Sequence, residues 1–227
     1  MFNYLKNSKY SSKKINKIYS DYLYTGIHGI LMRYCHRQLE SKLPDKTFKK
    51  ILEIGAGSQP HFPYIKEKDF SYFILEKDKN NHISKNSKLK KISYRYYNGK
   101  KIPFKRESFD RIILSHTLEH IPDPESFIRD TMKILKKGGV LSISLPADPG
   151  LFYRICRTFN KILSFNKKTK ISSLEYDYSN AIEHINSIYN LVNIIRHNYG
   201  KKIKESFLPF RIKMVDLNLF YNVHIIK

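Results

Sequence analysis

Apolar residues arrive in two rhythms along this chain, and the change from one to the other divides it. Up to about residue 50 they recur at three- and four-residue spacing: Ile15, Ile18, Tyr19, Tyr22 and Leu23, then, after Gly26 and Gly29, Ile30, Leu31, Tyr34, Cys35 and Leu39. That spacing gathers them on one face of a helix. Pro44 and Asp45 then punctuate the chain. From residue 51 short continuous apolar runs take over, at 51–54, 72–75, 92–96, 111–114 and 140–145. Runs of this kind mark strands buried on both faces of a parallel sheet. Between the last two, Asp123 opens and Gly138-Gly139 closes a helix expected from about residue 124 to 137. Strands and helices alternating at this length predict a mostly parallel sheet with helices on both faces, an α/β/α sandwich of three layers.

After Pro146 the alternation stops. Residues 151–165 read as an amphipathic segment with Phe152, Ile155, Phe159, Ile162 and Leu163 on one side and Arg154, Arg157 and Lys161 interspersed. Lys167, Lys168 and Lys170 follow in a loop. Residues 180–199 read as one further helix, with Ile182, Ile185, Ile188, Leu191, Ile194 and Ile195 as its apolar face. Residues 203–209 and 217–226 read as two strands forming an antiparallel edge pair, which brings the sheet to about seven strands. The expected organisation is a helical extension over 1–46 and one domain over 47–227. Within that domain, 47–147 is the ligand-binding half, 148–202 a helical cover and 203–227 the closing strands. No internal repeat or low-complexity tract interrupts it.

Length and composition fit this picture. A chain of 227 residues suits one large α/β domain, and 41% hydrophobic with 14% aromatic residues marks an ordered, globular one. Cys35 and Cys156 lie far apart and outside any metal-ligand spacing, so no metal is expected and a reducing compartment is. No apolar run has the length to span a bilayer, and the Lys- and Tyr-rich N-terminus lacks the apolar stretch of a signal peptide. A cytoplasmic protein is expected. The net charge of +22 raises the question of nucleic acid. Lysine far outnumbers arginine, Trp is absent, and the charge is spread along the whole length instead of being clustered. That is a compositional bias first. An anionic partner, either an acidic lipid surface or a phosphorylated substrate, comes second, and nucleic acid is disfavoured.

The candidate chemistry begins at the end of the first apolar run, in Glu53-Ile54-Gly55-Ala56-Gly57-Ser58. Two glycines without a Cβ let a loop take unusual dihedrals and let a nucleoside-bearing ligand lie against the main chain. The dinucleotide fingerprint needs a third glycine, and Pro60 stands in its place, so a bare turn, a dinucleotide site and another nucleoside site all remain open. About twenty residues on, the second run ends in Glu76-Lys77-Asp78, where a carboxylate can accept both hydroxyls of a ribose. Glu76 is the first choice and Asp78 the second.

An ordered series then follows: Ile102-Pro103-Phe104, Ser108-Phe109-Asp110, Leu118-Glu119-His120, Asp123-Pro124 and Leu135-Lys136-Lys137-Gly138-Gly139. With the glycine loop, over roughly residues 51–146, this series closely resembles the class I S-adenosylmethionine-dependent methyltransferases, in the subgroup with the pattern LPF…SFD…LEH…DP…LKPGG. The resemblance implies a Rossmann-like fold with S-adenosylmethionine as cofactor and S-adenosylhomocysteine as product. It implies that Glu53 orients the glycine loop and, directly or through water, the methionine ammonium. Gly55, Ala56 and Gly57 would carry the backbone past the methionine and ribose, and Glu76 would hold the ribose diol. Ser115 and His116 would line the methyl-donor end. Where the family usually has Gly-Asp-Ala, this chain has Tyr97-Asn98-Gly99. Asn98, with Gly99, keeps a carbonyl oxygen for the adenine amine but not the charge. Lys137 replaces the family's turn proline, and Pro60 and Pro63 imply a delayed or short helix after the loop.

A sulfonium methyl is already electrophilic, so what the protein must add is alignment, exclusion of water and, for a hydroxyl acceptor, a base. His116, His120 and His184 are the candidates, because imidazole titrates near neutral pH. Tyr178 and Arg154 are candidate substrate contacts. The fourth run ends in Leu114-Ser115-His116-Thr117, without the Asn-Pro-Pro-aromatic sequence of adenine methyltransferases, and no cysteine nucleophile stands in the matching loop. Base flipping is therefore unsupported. Asp148-Pro149-Gly150 and Asn218-Leu219-Phe220-Tyr221 resemble segments of a set of bacterial methyltransferases. The acceptor expected is an oxygen or nitrogen of a small molecule or glycan intermediate. One alternative is a lipid headgroup or lipid-linked acceptor, met by the basic 151–170 stretch on an anionic bilayer. Another is a non-catalytic cofactor-binding partner subunit.

Overall fold

The computed structural model describes residues 18, 22, 24–57, 60–77, 92–99, 101–161 and 171–227. Its centre is a seven-stranded sheet. In chain order the elements are α1 (Gly26–Leu39), β1 (Lys50–Ile54), β2 (Ser71–Glu76), β3 (Ile92–Tyr96), β4 (Phe109–Ser115) and α2 (Pro124–Ile134). Then come β5 (Leu135–Pro146), α3 (Leu151–Asn160), α4 (Ser173–Glu183), α5 (Ile188–Tyr199), β6 (Ile203–Leu208) and β7 (Phe220–Ile226). The strand order is β3-β2-β1-β4-β5-β7-β6. The first five strands pair in parallel, and β7 is antiparallel to both of its neighbours.

The continuous apolar runs fill both sides of this sheet. Successive strand residues point to opposite faces, so Leu52, Ile54, Leu75, Ile112 and Leu114 pack with Ile128, Leu191 and Ile195 on one side. Ile51, Ile74, Ile113 and Val140 pack with Leu39 and Phe48 on the other. Strand order reverses between β1 and β4, so the loops leaving these two strands part and open a crevice at their C-terminal ends.

The two C-terminal strands form the antiparallel pair expected at one edge of the sheet, with β7 between β5 and β6 and β6 outermost. Six consecutive residues of β7 are buried, as its inner place requires. Three local expectations are corrected. The helix after Asp123 stops at Ile134, and Gly138-Gly139 bend β5 instead of capping the helix. Gly138 has φ +67, and a Cβ on Gly139 would come within 2.8 Å of the Lys136 carbonyl oxygen. The single helix expected over 180–199 is two, broken at residues 184–187. There Ser187 caps α5 by accepting the Asn190 N–H at 3.3 Å, and α4 starts earlier, at a capping box between Ser172 and Glu175. On α1, the expected face is turned: Met32, Cys35, His36 and Leu39 are buried, whereas Ile30 is 61% exposed.

Other expectations hold. After β1 the chain makes a 3₁₀ turn at Phe62–Tyr64 and, among the described residues, no α-helix before β2, as its prolines imply. Asp123 caps α2 by accepting the Ser126 N–H at 3.0 Å. The expected first helix over 15–23 lies mostly outside the described residues. So do Asp78, Ile162, Leu163, Lys167, Lys168 and Lys170. Among the described residues, no helix is long and apolar enough to cross a membrane.

Candidate active site

The glycine loop continues directly from β1. Its first residue still pairs with β2, Gly55 donating its N–H to the Leu75 carbonyl at 3.0 Å, and then the backbone turns left-handed at Gly55 (φ +74) and Gly57 (φ +57). Gly55 has a second reason to lack a side chain. A Cβ there would stand 2.7 Å from Cγ2 of Thr117, whose hydroxyl donates towards the Ile54 carbonyl at 3.1 Å and so ties β4's exit to β1's. At Gly57, by contrast, a Cβ would meet nothing within 4 Å. Its backbone therefore borders open space, a cradle that a ligand can approach.

Two carboxylates brace the loop from beneath. Glu76, at the end of β2, accepts the Gly57 N–H at 2.6 Å. Glu53 is fully buried, and its carboxylate accepts the His61 N–H at 3.0 Å and the Tyr72 hydroxyl at 2.6 Å. It thus clamps the far end of the loop. Burial pushes its carboxyl up to about 7, against the pull of those two hydrogen bonds.

His61 belongs to a chain of buried polar groups between the loop and α1. Its Nε2 faces the Glu40 carboxylate at 2.6 Å, its Nδ1 faces Nδ1 of His36 at 2.8 Å, and Nε2 of His36 faces the Tyr24 hydroxyl at 3.0 Å. A carboxylate accepts only, so the donors run one way: Tyr24 O–H to His36, His36 Nδ1–H to His61, His61 Nε2–H to Glu40. Both rings are then neutral, and burial lowers both pKa values in agreement. Burial would raise the Glu40 carboxyl, but the His61 bond and the fully buried Arg111, at 2.7 Å, outweigh it and hold it down at about 2.

Above the loop lies a cavity of about 360 Å³. Gly55, Ala56, Gly57 and Ser115 line one end of it, and His116, Glu119, His120 and His184 line its side. Tyr24 and residues of α1, α3 and α4 close it, among them Met32, Tyr153, Arg157, Tyr176 and Asn180. The helix break noted above is what brings His184 here. Asn186, in the break, donates its side chain to the Ile121 carbonyl at 2.6 Å and its N–H to the Glu119 carbonyl at 3.1 Å. These bonds pin residues 184–187 to the 3₁₀ turn Leu118–His120, and the His120 and His184 rings meet edge-on with centroids 5.0 Å apart.

The histidines differ in their second contacts. His184 Nδ1 faces the Asp148 carboxylate at 3.0 Å. His120 Nδ1 faces the Glu183 carbonyl at 2.8 Å. Both acceptors fix the proton on Nδ1 and leave an Nε2 lone pair. His116 sits at φ +51, 3.9 Å from Glu119, and burial lowers its pKa.

The structure therefore brings together Gly55, Ala56, Gly57, Ser115, His116, His120 and His184 around one space. Glu53 and Glu76 stand behind the loop instead of lining the cavity. Asn98 and Gly99 are exposed at the end of β3, beyond β2 and outside the cavity. Gly99 is left-handed there, at φ +79. Arg154 and Tyr178 are exposed and do not line it either. Sequence reasoning missed Thr117, Glu119, Asp148, Arg157, Tyr24 just before α1 and His28 on it. Glu119 and Asp148 lay within quoted motifs; the adjacency of Glu119 to His120 was a signal left unused, and nothing in the Asp148 motif pointed to His184. Arg157 is held by Asn180 at 2.9 Å and Asp177 at 2.8 Å, so its charge is fixed at the cavity wall.

Comparison with known proteins agrees with this geometry. Residues 27–196 match the family described as a methyltransferase domain. A demethylmenaquinone methyltransferase of Streptomyces griseus is 29% identical over 114 residues, which are 47% of this chain and 46% of that protein. The chain thus spans under half the length of this curated relative. Among solved structures, a possible histamine N-methyltransferase from Thermotoga maritima superposes with a TM-score of 0.59 at 18% identity, over 95% of this chain and 97% of that one. A plantazolicin methyltransferase in complex with a triazolic desmethylPZN analogue and SAH superposes with a TM-score of 0.67 at 14% identity, over 93% and 90% of the two chains. The fold is theirs, and by its match over residues 27–196 the chain belongs to the methyltransferase-domain family.

Proposed function

We propose that the protein transfers a methyl group from S-adenosylmethionine to an oxygen or nitrogen of a small polar acceptor, with His184 as the general base. The observation that carries this reading is one continuous cavity in which the Gly55–Gly57 cradle, Ser115 and the His184 imidazole face the same space. The open space beside Gly57 fits a ligand lying on the backbone, and Glu76 at the loop fits a ribose diol. Asn98 and Gly99 would meet the adenine end, and Ser115 and His116 the methionine end. When bound, the donor supplies an electrophilic methyl group.

The chain's own residues would do the rest. The Asp148 carboxylate holds His184 Nδ1–H, which fixes the Nε2 lone pair for the acceptor's proton. His184 Nε2 would take the acceptor's proton, the new bond to carbon replacing the carbon–sulfur bond and S-adenosylhomocysteine leaving with that bond's electron pair, and Asp148 would stabilise the imidazolium. Arg157, paired with Asp177 at 2.8 Å and standing 3.6 Å from the Asp148 carboxylate, holds Asp148 in place behind His184. The helical walls exclude water, so alignment replaces a bimolecular encounter.

A second reading, a lipid-linked acceptor at a membrane surface, has one observation in its favour. Ile155 and Phe159 on α3 and Leu174 on α4 are exposed, Phe159 by 60% and Leu174 by 66%, beside the exposed Arg154. The curated relative named above, a demethylmenaquinone methyltransferase, points the same way. The test is transfer from methyl-labelled donor into fractionated lipid, glycan and small-molecule pools of an extract. Label in a water-soluble pool supports the main reading, and label in the lipid pool supports the second. Donor binding with label in no pool would leave a non-catalytic subunit.

A further inference from the structure

We infer that Glu119, His120 and His184 form a binding site for a divalent transition-metal ion, of the zinc type, in the wall of the cavity. Each offers one ligand atom, and the three atoms lie within 4.8 Å of one another. Glu119 Oε1 and His120 Nε2 are 3.9 Å apart. An ion held at about 2.1 Å sets its ligands about 3–3.5 Å apart, so the three side chains need to draw in by roughly an ångström.

Two further observations point to a ligand there. The first is the outer contacts of the imidazoles. His120 Nδ1–H is taken by the Glu183 carbonyl and His184 Nδ1–H by the Asp148 carboxylate. A carbonyl or carboxylate on the far nitrogen is the arrangement that orients metal-ligating histidines and leaves Nε2 for the ion. The second is Glu119 itself. Its side chain is 3% exposed, and its Oε2 has no hydrogen-bond partner. The imidazole nitrogens nearest its Oε1, those of His116 and His120, stand at 3.9 Å, too far for a hydrogen bond. A buried carboxylate oxygen left without a donor is costly, and a cation between it and two imidazole lone pairs removes the cost.

The donor set selects the ion. Two imidazoles and one carboxylate suit Zn²⁺ and its neighbours in the first transition row, whereas Mg²⁺ and Ca²⁺ take oxygen ligands. Three protein ligands leave a position open towards the cavity. A hydroxyl or carbonyl oxygen of the acceptor would occupy it, and the ion would make that hydroxyl acidic. In the ion-loaded protein the acidified hydroxyl would need no separate base, and the base role of His184 given above belongs to the ion-free site. This catalytic consequence rests on the methyl-transfer reading, but ion binding itself does not.

The test is binding by the full-length protein. The chain is stripped with chelator, titrated calorimetrically with Zn²⁺ and dialysed for metal analysis, with S-adenosylhomocysteine binding measured on the same samples. The site predicts one equivalent per chain, its affinity at least tenfold weaker in Glu119→Gln, His120→Asn and His184→Asn, and about tenfold weaker in Asp148→Asn. His197→Asn, at an exposed histidine on α5, keeps the full equivalent. Circular dichroism establishes that each variant is folded. Absence of stoichiometric binding, or binding unchanged in the folded Glu119 and histidine variants, overturns the inference. S-adenosylhomocysteine binding without zinc binding removes the metal site alone, and zinc binding without S-adenosylhomocysteine binding removes the methyl-transfer reading alone.

Discussion

Asp148 and His184 are 36 residues apart in the chain and meet at 3.0 Å in the cavity wall, carboxylate oxygen to Nδ1. Asp148 leaves β5 just beyond Pro146, and His184 ends α4, so the contact forms when the helical cover folds back onto the sheet. A hydrogen-bonded carboxylate makes an imidazole a better base or ligand and fixes its tautomer. His184→Asn is expected to lower kcat by about 10²–10⁴-fold while leaving donor affinity nearly unchanged. Asp148→Asn is expected to cost less. Steady-state kinetics on the acceptor pool that takes label measure both.

Gly55→Ala tests the cradle. The new Cβ would stand 2.7 Å from Thr117 Cγ2 and force a side chain into φ +74, a strain of about 1–2 kcal/mol before the clash is counted. A lower thermal midpoint and a loss of at least tenfold in S-adenosylhomocysteine affinity are expected. In the double variant with Thr117→Ser the loss shrinks but does not vanish, because the dihedral strain remains. Equal affinity for wild type and Gly55→Ala would remove the loop from the binding site.

Arg111 is fully buried within β4, and Glu40 carries the opposite charge beside it. Glu40→Gln keeps the volume but leaves the guanidinium unpaired, and about 3–5 kcal/mol of stability should go with it. Urea unfolding measures this. A loss below 1 kcal/mol would mean that the pair is not formed.

The pH dependence of stability follows from four buried groups. Burial lowers His36 and His61 and takes His224 down to about 3. Each stays neutral when folded but takes a proton when unfolded, so its contribution is present above about pH 6.5 and is lost as pH falls below it. Glu53 has the opposite sign. Raised to about 7, it contributes below about pH 4.5 and loses that contribution as pH rises through 7. The midpoint of thermal unfolding should therefore fall from pH 6.5 towards pH 5, and Glu53→Gln should steepen the fall by removing the opposing group.

The fold was legible because its signals are local and strong. The five apolar runs became β1 to β5, and the reversal of strand order that opens the crevice is implied by parallel strands joined across both faces. The glycine loop was legible from Gly55 and Gly57, and only the ordered motifs downstream narrowed what it could hold. The errors lie where tertiary contact overrides periodicity. Residues 180–199 carry a helical apolar pattern throughout, yet hydrogen bonds from Asn186 to Ile121 and Glu119 break it and turn His184 into the cavity. Gly138-Gly139 resembled a helix stop, and pairing with β4 made them a bend in a strand. The polar wall was the least legible part. Asp148 and Arg157 gain their roles from partners 20 or more residues away, and spacing along one sequence carries no trace of that.

The central claim is that the Gly55–Gly57 cradle and its cavity hold S-adenosylmethionine. Calorimetric titration of the full-length protein with S-adenosylhomocysteine tests it most directly. One equivalent bound per chain, lost in Gly55→Ala and weakened in Glu76→Ala, is the predicted result. A folded wild-type protein that binds neither S-adenosylhomocysteine nor S-adenosylmethionine would contradict it.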